Sequence, residues 1–360
     1  RYETVNDSEL KHIAEENNRL LKEGYTKTQI ASFLNYKGEF GRSTLSKHLK
    51  KAEEKGYKVN YPKNTRKTNL DKLSYSPIID KNPSVEKLWE KRLEEFKRNK
   101  NHEESKQNVV IKVNESKPIG LLLFGDPHID DPCCDVERLL RDVEICESTF
   151  GMYGINIGDA TNNWVGYLAK LYSKQETTQD QSYILLEDLI KRVSWLFTVS
   201  GNHDIWNNNY ASVLNKLHNV LNFDDEVSVR LQFNNGEEFK IHSRHNYQGN
   251  SQWNSAQGIV KWAKTRGTNH DILIGGHKHT CCYNQVVSKV NGNYHIYHCE
   301  QLGSYKRYDD YAVSGGFEDT NVSPSILYIL NPKETDPDKK ISRFTNIEQG
   351  AQFLKMIRGD

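Results

Sequence analysis

The sequence predicts an α/β layered fold preceded by a small all-α unit, and three observations carry that reading. From about residue 109, apolar runs of strand length first alternate with amphipathic helical stretches and then dominate. Before that point, apolar residues recur at helical spacing among charges. The charge also divides at about the same place. Residues 1–117 hold 26 Lys and Arg against 18 Asp and Glu, a balance of +8, while residues 118–360 hold 23 against 30, a balance of −7. A basic front and an acidic back suggest two functions in one chain, with a polyanion as natural partner of the front. At 360 residues two domains are possible. Hydrophobic content of 36% and charged content of 27% lie far from the disordered regime. No apolar run reaches the ~18 residues of a membrane helix, and the first residues do not read as a signal segment, so a soluble protein is expected. The six cysteines, Cys133, Cys134, Cys146, Cys281, Cys282 and Cys299, show no C-x-x-C spacing. They read as thiols in a reducing compartment, which suggests the cytoplasm.

In the front unit, residues 4–24 read as a helix, with Leu10, Ile13, Ala14, Leu20 and Leu21 near a 3.6-residue period and Gly24 ending it. Thr26 can cap a short second helix carrying Ile30, Ala31, Phe33 and Leu34. A turn with Gly38 and Gly41 follows. Ser43 then caps a third helix with Leu45, Leu49 and Ala52, stopped at Gly56. This order resembles a helix-turn-helix DNA-binding module over residues 1–60. By that resemblance Arg42, Ser43, Thr44, Lys47, Lys50 and Lys51, with Ser46 and His48 beside them, would meet a groove or its phosphates. A small structural or oligomerisation domain with a solvated basic face is the other reading.

Residues 61–108 read as a linker with a charged helix. Pro62, Pro77 and Pro83 punctuate its start, and Val85, Leu88, Trp89, Leu93 and Phe96 form a stripe on a helix near 84–100. The charge run Lys97–Lys106 reads as solvated surface. Strands are expected at Val109–Val113, Ile119–Phe124, Gly154–Ile157, Trp195–Val199, Val227–Phe233, Glu238–Ile241, Ile272–Ile274, Val286–Val290, Tyr294–His298 and Ser325–Leu330, with helices near 135–148, 180–193, 209–218 and 256–266. Residues 109–330 thus form the α/β domain, and 331–360 a tail with a helix around Ile347–Ile357.

Five polar clusters follow apolar strands: Asp126-Pro127-His128, Gly158-Asp159, Gly201-Asn202-His203-Asp204, His245, and Gly275-Gly276-His277-Lys278-His279. Strand ends are where a layered α/β sheet presents functional groups. Carboxylates, imidazoles and an amide, without thiolates, suit Mn²⁺, Fe²⁺ or Zn²⁺ with open positions better than a closed structural zinc site. Seven such groups are too many for one ion and suit two sharing a carboxylate, the arrangement used for phosphoester displacement with ions ~3.5–4 Å apart.

The series D-x-H, G-D, G-N-H-D, H and G-H-x-H resembles the calcineurin-like metallophosphoesterase superfamily over roughly residues 118–330. The resemblance implies a four-layer sandwich of two mixed β-sheets flanked by helices. It implies that Asp126, His128, Asp159 and His279 hold one metal, that Asp159 bridges, and that Asn202, His245 and His277 complete the second. His245 is preferred over His242 because Arg244–Gly249 reads as a loop leaving a strand. Two divalent ions, Mn²⁺ first and Fe²⁺, Zn²⁺ or Mg²⁺ as alternatives, would activate a shared water. His203 would act as proton donor or transition-state stabiliser. Asn162 stands where the family often has an Asp or His that steadies this histidine, and its amide is expected to orient the ring. Asp204 and Asp130 are expected behind the ligands. Trp164, Tyr167, Trp206, Tyr210, Tyr247 and Trp253 crowd the loops, where they could stack on bases or pack beneath the chain. The leading expectation is a DNA phosphodiesterase, similar to SbcD-type nucleases in its catalytic domain. A phosphomonoesterase and a non-enzymatic DNA-binding factor with a vestigial site are the alternatives.

Overall fold

The computed structural model describes residues 5–36, 41–61, 83–206, 210–249, 251, 253–266, 269–290, 293–307 and 323–359. The chain divides into two compact units, residues 1–85 and 86–360.

In the first unit, α1 (Asp7–Lys22), α2 (Lys27–Phe33) and α3 (Gly41–Glu54) enclose Ile13, Leu20, Ile30, Ala31, Leu45 and Leu49. The first helix is shorter than expected because Asn6 and Glu9 form a capping box that fixes its start. Thr26 caps α2 with Gln29 in the same way. Ser43 is not a cap, since α3 already begins at Gly41. Ser43, Lys47, Lys50 and Lys51 are exposed and Thr44 is half-buried. Gly38 and the Arg42 side chain lie outside the described residues. The segment after α3 folds back onto α1: Asn17 donates to the Asn60 carbonyl at 2.9 Å, and the Asn60 amide donates to Asn18 at 2.7 Å.

The second unit begins with α4 (Val85–Lys106). It is a full helix of that unit, and its stripe of Val85, Leu88, Trp89, Leu93 and Phe96 is exposed. The charge run does not end in solvent: the Lys106 ammonium is buried and pairs with Asp225 at 3.2 Å and Glu103 at 3.0 Å. Among the described residues twelve strands follow, β1 (Val109–Val113), β2 (Ile119–Phe124), β3 (Met152–Asn156), β4 (Trp195–Val199), β5 (Asn222–Phe223), β6 (Glu226–Phe233), β7 (Glu238–Arg244), β8 (Ile272–Gly275), β9 (Cys282–Val290), β10 (Asn293–Gln301), β11 (Ser325–Leu330) and β12 (Ile341–Phe344). They form two six-stranded mixed sheets, ordered β1-β6-β7-β8-β10-β9 and β12-β11-β2-β3-β4-β5.

Strand periodicity explains the layering. Ile119, Leu121 and Leu123 of β2 point between the sheets with Tyr328, Ile241, Ile272 and Ile274, while Leu122 and Phe124 point outward. The outward residues meet α5 (Val136–Ser148), α6 (Gln179–Arg192) and the C-terminal helix Ile347–Arg358. On the other sheet, Leu273 faces Ile259 and Ala263 of α9 (Gln257–Thr265). The expected sandwich, helix on sheet on sheet on helix, is the fold of this unit.

Residues 331–360 are not a tail. Strand β12 pairs with β11 from Leu327↔Phe344 to Leu330↔Ile341, and Leu354 is fully buried against the sheet. The Arg358 guanidinium, also buried, pairs with Glu115 at 3.0 Å. Leu354→Ala is therefore expected to cost about 2–5 kcal/mol, as core truncations do, measured by urea unfolding of the full chain. Unchanged stability would mean that this helix contributes nothing to the core. Among the described residues, no helix is long and apolar enough to cross a membrane.

Candidate metal centre

All five polar clusters leave the same edge of the sandwich. Asp126 and His128 follow β2, Asp159 follows β3, Asn202 and His203 open the short helix α7 (Asn202–Ile205) after β4, His245 follows β7, and His277 and His279 follow β8. Both sheets contribute. The backbone turns there through an unusual region: φ is +35° at Asp126, +41° at His128, +52° at Asp159, +68° at His277 and +53° at His279. For residues with a Cβ this costs of order 1–3 kcal/mol each, and such strain gathers where side chains are held for a task. The flanking glycines provide close approach. A Cβ on Gly201 would collide with the Asp159 carboxylate, and one on Gly276 would lie 2.6 Å from Asp126 Oδ1.

The side chains converge. Asp159 Oδ2 lies 3.2 Å from His245 Nε2 and 4.0 Å from His203 Nε2. Asp126 Oδ2 lies 3.6 Å from His279 Nε2, and His128 Nε2 lies 3.3 Å from His279 Nε2. His245 Nε2 is 3.1 Å from Asn202 Oδ1, and the His245 and His277 rings are 5.2 Å apart. Two groups can each close on one cation, His128–Asp159–His203 and Asp159–His245–His277, and Asp159 belongs to both. His203 thus stands within reach of a metal, although the sequence reading leaves it out of the ligand set.

The electrostatics fit positive charge. Burial opposes ionising Asp159, but His245, His203 and His128 override it and hold its carboxyl well below the usual range. Asp126 is pushed well up by burial, with its Oδ1 buried and without a hydrogen-bond partner. His128 is pushed well below 6.5 by burial and by His203, Lys306 and His279, and its Nδ1 also lacks a partner. Burial would lower His245, yet Asp159 and Asp126 raise it to about 10. Its Nδ1–H donates to the Ile157 carbonyl at 2.8 Å, so Nε2 faces two oxygens, those of Asn202 and Asp159. Those oxygens need a cation between them and the imidazole, either a proton or a metal ion. Orphaned carboxylate and imidazole atoms beside this arrangement suit divalent cations in size and donor type.

Behind the cluster, the Asp204 carboxylate accepts from the amides of Asp159 (2.7 Å), Gly201 (2.8 Å) and Ala160 (3.1 Å), fixing the Asp159 turn. Burial and the Asp159 charge raise it to about 6. Asp130 accepts from the Asn162 amide, Gln175 and Ser182. His203 is gripped by Trp164 and Trp206, with ring centroids 5.1 and 4.3 Å away.

Asn162 orients His203 differently from the sequence expectation. Its backbone carbonyl accepts from His203 Nδ1, while its side-chain amide turns to Asp131 (2.9 Å) and Gln175 (3.1 Å). The neighbouring Asn163 holds the backbone of the same turn, donating to the main-chain carbonyls of His203 (2.8 Å) and Trp206 (2.5 Å), and does not contact the ring. Sequence reasoning also missed Lys306, a buried ammonium 3.1 Å from Asp131 and 5.5 Å above the Trp164 ring. No local motif marks it.

His242 belongs to another environment. It is fully buried, stacks on Trp262 at 3.8 Å and bonds to the Tyr247 hydroxyl. Burial, His270, Arg244 and Arg266 lower it to about 2, although Glu226 lies 3.8 Å away. Unfolded, it would titrate near 6.5. The unfolded chain therefore binds the extra proton first, and stability is lost as pH falls below 6.5. His242→Phe should flatten the pH dependence of unfolding free energy between pH 6.5 and 4 by about 1.4 kcal/mol per unit. Identical slopes in urea titrations would show that His242 does not remain neutral when folded. Tyr247 is core, as is its partner His242, so it is not available to a ligand, and half-buried Tyr210 has one face stacked on Tyr183 at 3.8 Å.

A scan of protein-family models found no match, and a search of curated proteins found none. Among solved structures, the chain is similar to a conserved uncharacterized protein, a predicted phosphoesterase, from Streptococcus pneumoniae TIGR4, at 12% identity and TM-score 0.29, covering 63% of this chain and 97% of that one. It is similar to the Pseudomonas putida nuclease MPE at 18% identity and TM-score 0.29, covering 58% and 82%. A protein of unknown function from Aquifex aeolicus follows at 11% and 0.26, covering 44% and 78%. Likenesses this distant carry no argument about activity, which rests on the chain's own residues.

Proposed function

We propose that residues 86–360 hydrolyse phosphoesters at a two-cation centre, and that the substrate is a phosphodiester of DNA. The observation that carries this is one buried carboxylate, Asp159, with the imidazoles of His128 and His203 grouped on one side of it and those of His245 and His277 on the other. Divalent cations bound there would supply positive charge to the phosphoryl oxygens and acidify the attacking water. The chain's own residues do the rest. Asp204 and the turn it fixes hold Asp159. The Ile157 carbonyl turns His245 so that Nε2 faces inward. The Asn162 carbonyl takes Nδ1–H of His203, which leaves Nε2 directed at the cluster, where the ring in its doubly protonated form would protonate the departing oxygen and be left neutral with its proton on Nδ1.

A diester is favoured over a monoester by where arginines point among the described residues. A terminal phosphate dianion calls for a bidentate arginine, and Arg138, Arg141 and Arg244 are directed elsewhere. Arg138 and Arg141 lie against Asp142, both at 3.9 Å, and Arg244 lies 3.6 Å from Glu226. DNA is favoured by the basic first unit and the exposed Lys47, Lys50 and Lys51 on α3. Comparing a 4-nitrophenyl phosphodiester with the monoester, with and without Mn²⁺, tests the reaction. Metal-dependent preference for the diester is expected, and preference for the monoester would overturn the diester reading. For the DNA reading, replacing Lys47, Lys50 and Lys51 with Ala in the full chain should reduce the slope of log affinity against log salt by about 2–3, if each neutralises one phosphate. An unchanged slope would remove α3 from the interface.

A further inference from the structure

One aromatic side chain in the segment after His245 is left in water. Trp253 is 96% exposed, a rare condition for the largest aromatic side chain. Its backbone is nevertheless firmly held. The amides of Trp253 and Asn254 donate to Ser251 Oγ at 3.3 and 3.2 Å. Asn254 Oδ1 accepts from the Ala256 amide at 3.0 Å, from Asn284 at 3.0 Å and from the Cys282 thiol at 3.4 Å. Lys278 Nζ donates to the carbonyls of Gly249 at 2.6 Å and Ser255 at 3.4 Å. Lys278 is the residue between His277 and His279, so its side chain links Gly249 and Ser255, on either side of Trp253, to the segment that carries two groups of the candidate centre. An indole left in water on a loop linked in this way is open to a flat apolar ligand.

We propose that Trp253 is a stacking platform for an unpaired base next to the scissile phosphodiester, so that the substrate is single-stranded or splayed nucleic acid rather than intact duplex. This rests on the phosphodiester reading above. A base inside a duplex has both faces covered by its neighbours, whereas an unpaired base exposes a face to an aromatic ring. Stacking tolerates any base, so the platform sets strandedness and register without reading sequence.

The test uses the full chain with Mn²⁺ and three probes: a dT dodecamer, a blunt-ended GC-rich duplex, and 4-nitrophenyl methyl phosphate, which carries no base. Trp253→Ala should raise KM for the dodecamer by about 5–150-fold, the range for losing one stacked base, and leave 4-nitrophenyl methyl phosphate unchanged. Trp253→Phe should recover most of the loss. The unaltered chain should prefer the dodecamer to the duplex. Equal loss on the base-free ester would show a structural role and overturn the proposal, as would wild-type kinetics of Trp253→Ala on the dodecamer or equal cleavage of the duplex. If the unaltered chain turns over the base-free ester but no nucleic acid, the DNA reading itself fails and the platform fails with it.

Discussion

Asp159→Asn is expected to be the most damaging single substitution in the chain. Asp159 is the residue common to both ligand groups, and His245, His203 and His128 all act to keep it ionised. An amide is similar in size but neutral, so both groups lose their shared charge together. Measured metal content should fall from about two ions per chain, as the two-metal template requires. Turnover should fall by at least about 10²–10³-fold, the usual consequence of removing one preorganised electrostatic contact. The fold should survive, because Asp204 binds the amide of residue 159 through its backbone and an Asn does not disturb that. Full metal occupancy with normal turnover would remove Asp159 from its shared position.

His203→Ala separates acid catalysis from cation binding. If His203 is a proton donor, the variant should keep its metal content and slow by about 10²–10⁴-fold. The loss should be small for an ester with a nitrophenolate leaving group, which departs without a proton. It should be large for a nucleotide ester, whose alkoxide leaves poorly. Equal losses on both substrates would indicate charge stabilisation instead. Loss of metal would make His203 a ligand, which its place in the His128–Asp159–His203 group permits. Asn162→Asp should not strengthen the acid, because the contact to His203 runs through the backbone carbonyl and a new carboxylate would face Asp131.

Much of the α/β unit was legible because its signals are local. The runs Ile119–Phe124 and Ser325–Leu330 are buried along their whole length, and a continuous apolar stretch after a turn is hard to read as anything else. Which polar residues would converge was legible for a related reason: all but His245, which follows the mixed strand Glu238–Arg244, come after such a run, and in three cases a glycine permits the close approach. The residues missed are those whose parts are not encoded by their own side-chain type. A backbone carbonyl orients His203, and any residue at position 162 offers one. Lys306 reaches the site through tertiary contacts of its segment, the pairing with Cys134 and the bond from Ser304 to the Asp126 carbonyl, which no local motif encodes. Strand β12 is half-buried throughout and has one partner strand, so Ile341–Phe344 carries too weak an alternation to announce itself. The exposed stripe of α4 was legible as a stripe, but its sequence does not say whether anything covers it.

The central claim is that one edge of the sandwich holds two cations that share Asp159. Crystals of the chain grown with Mn²⁺ and measured at the manganese edge test it most directly, independently of any substrate. Two anomalous peaks are predicted, one toward His128 and His279 and one toward Asn202, His245 and His277, both in contact with the Asp159 carboxylate. A single peak, or two that do not both touch Asp159, would contradict it.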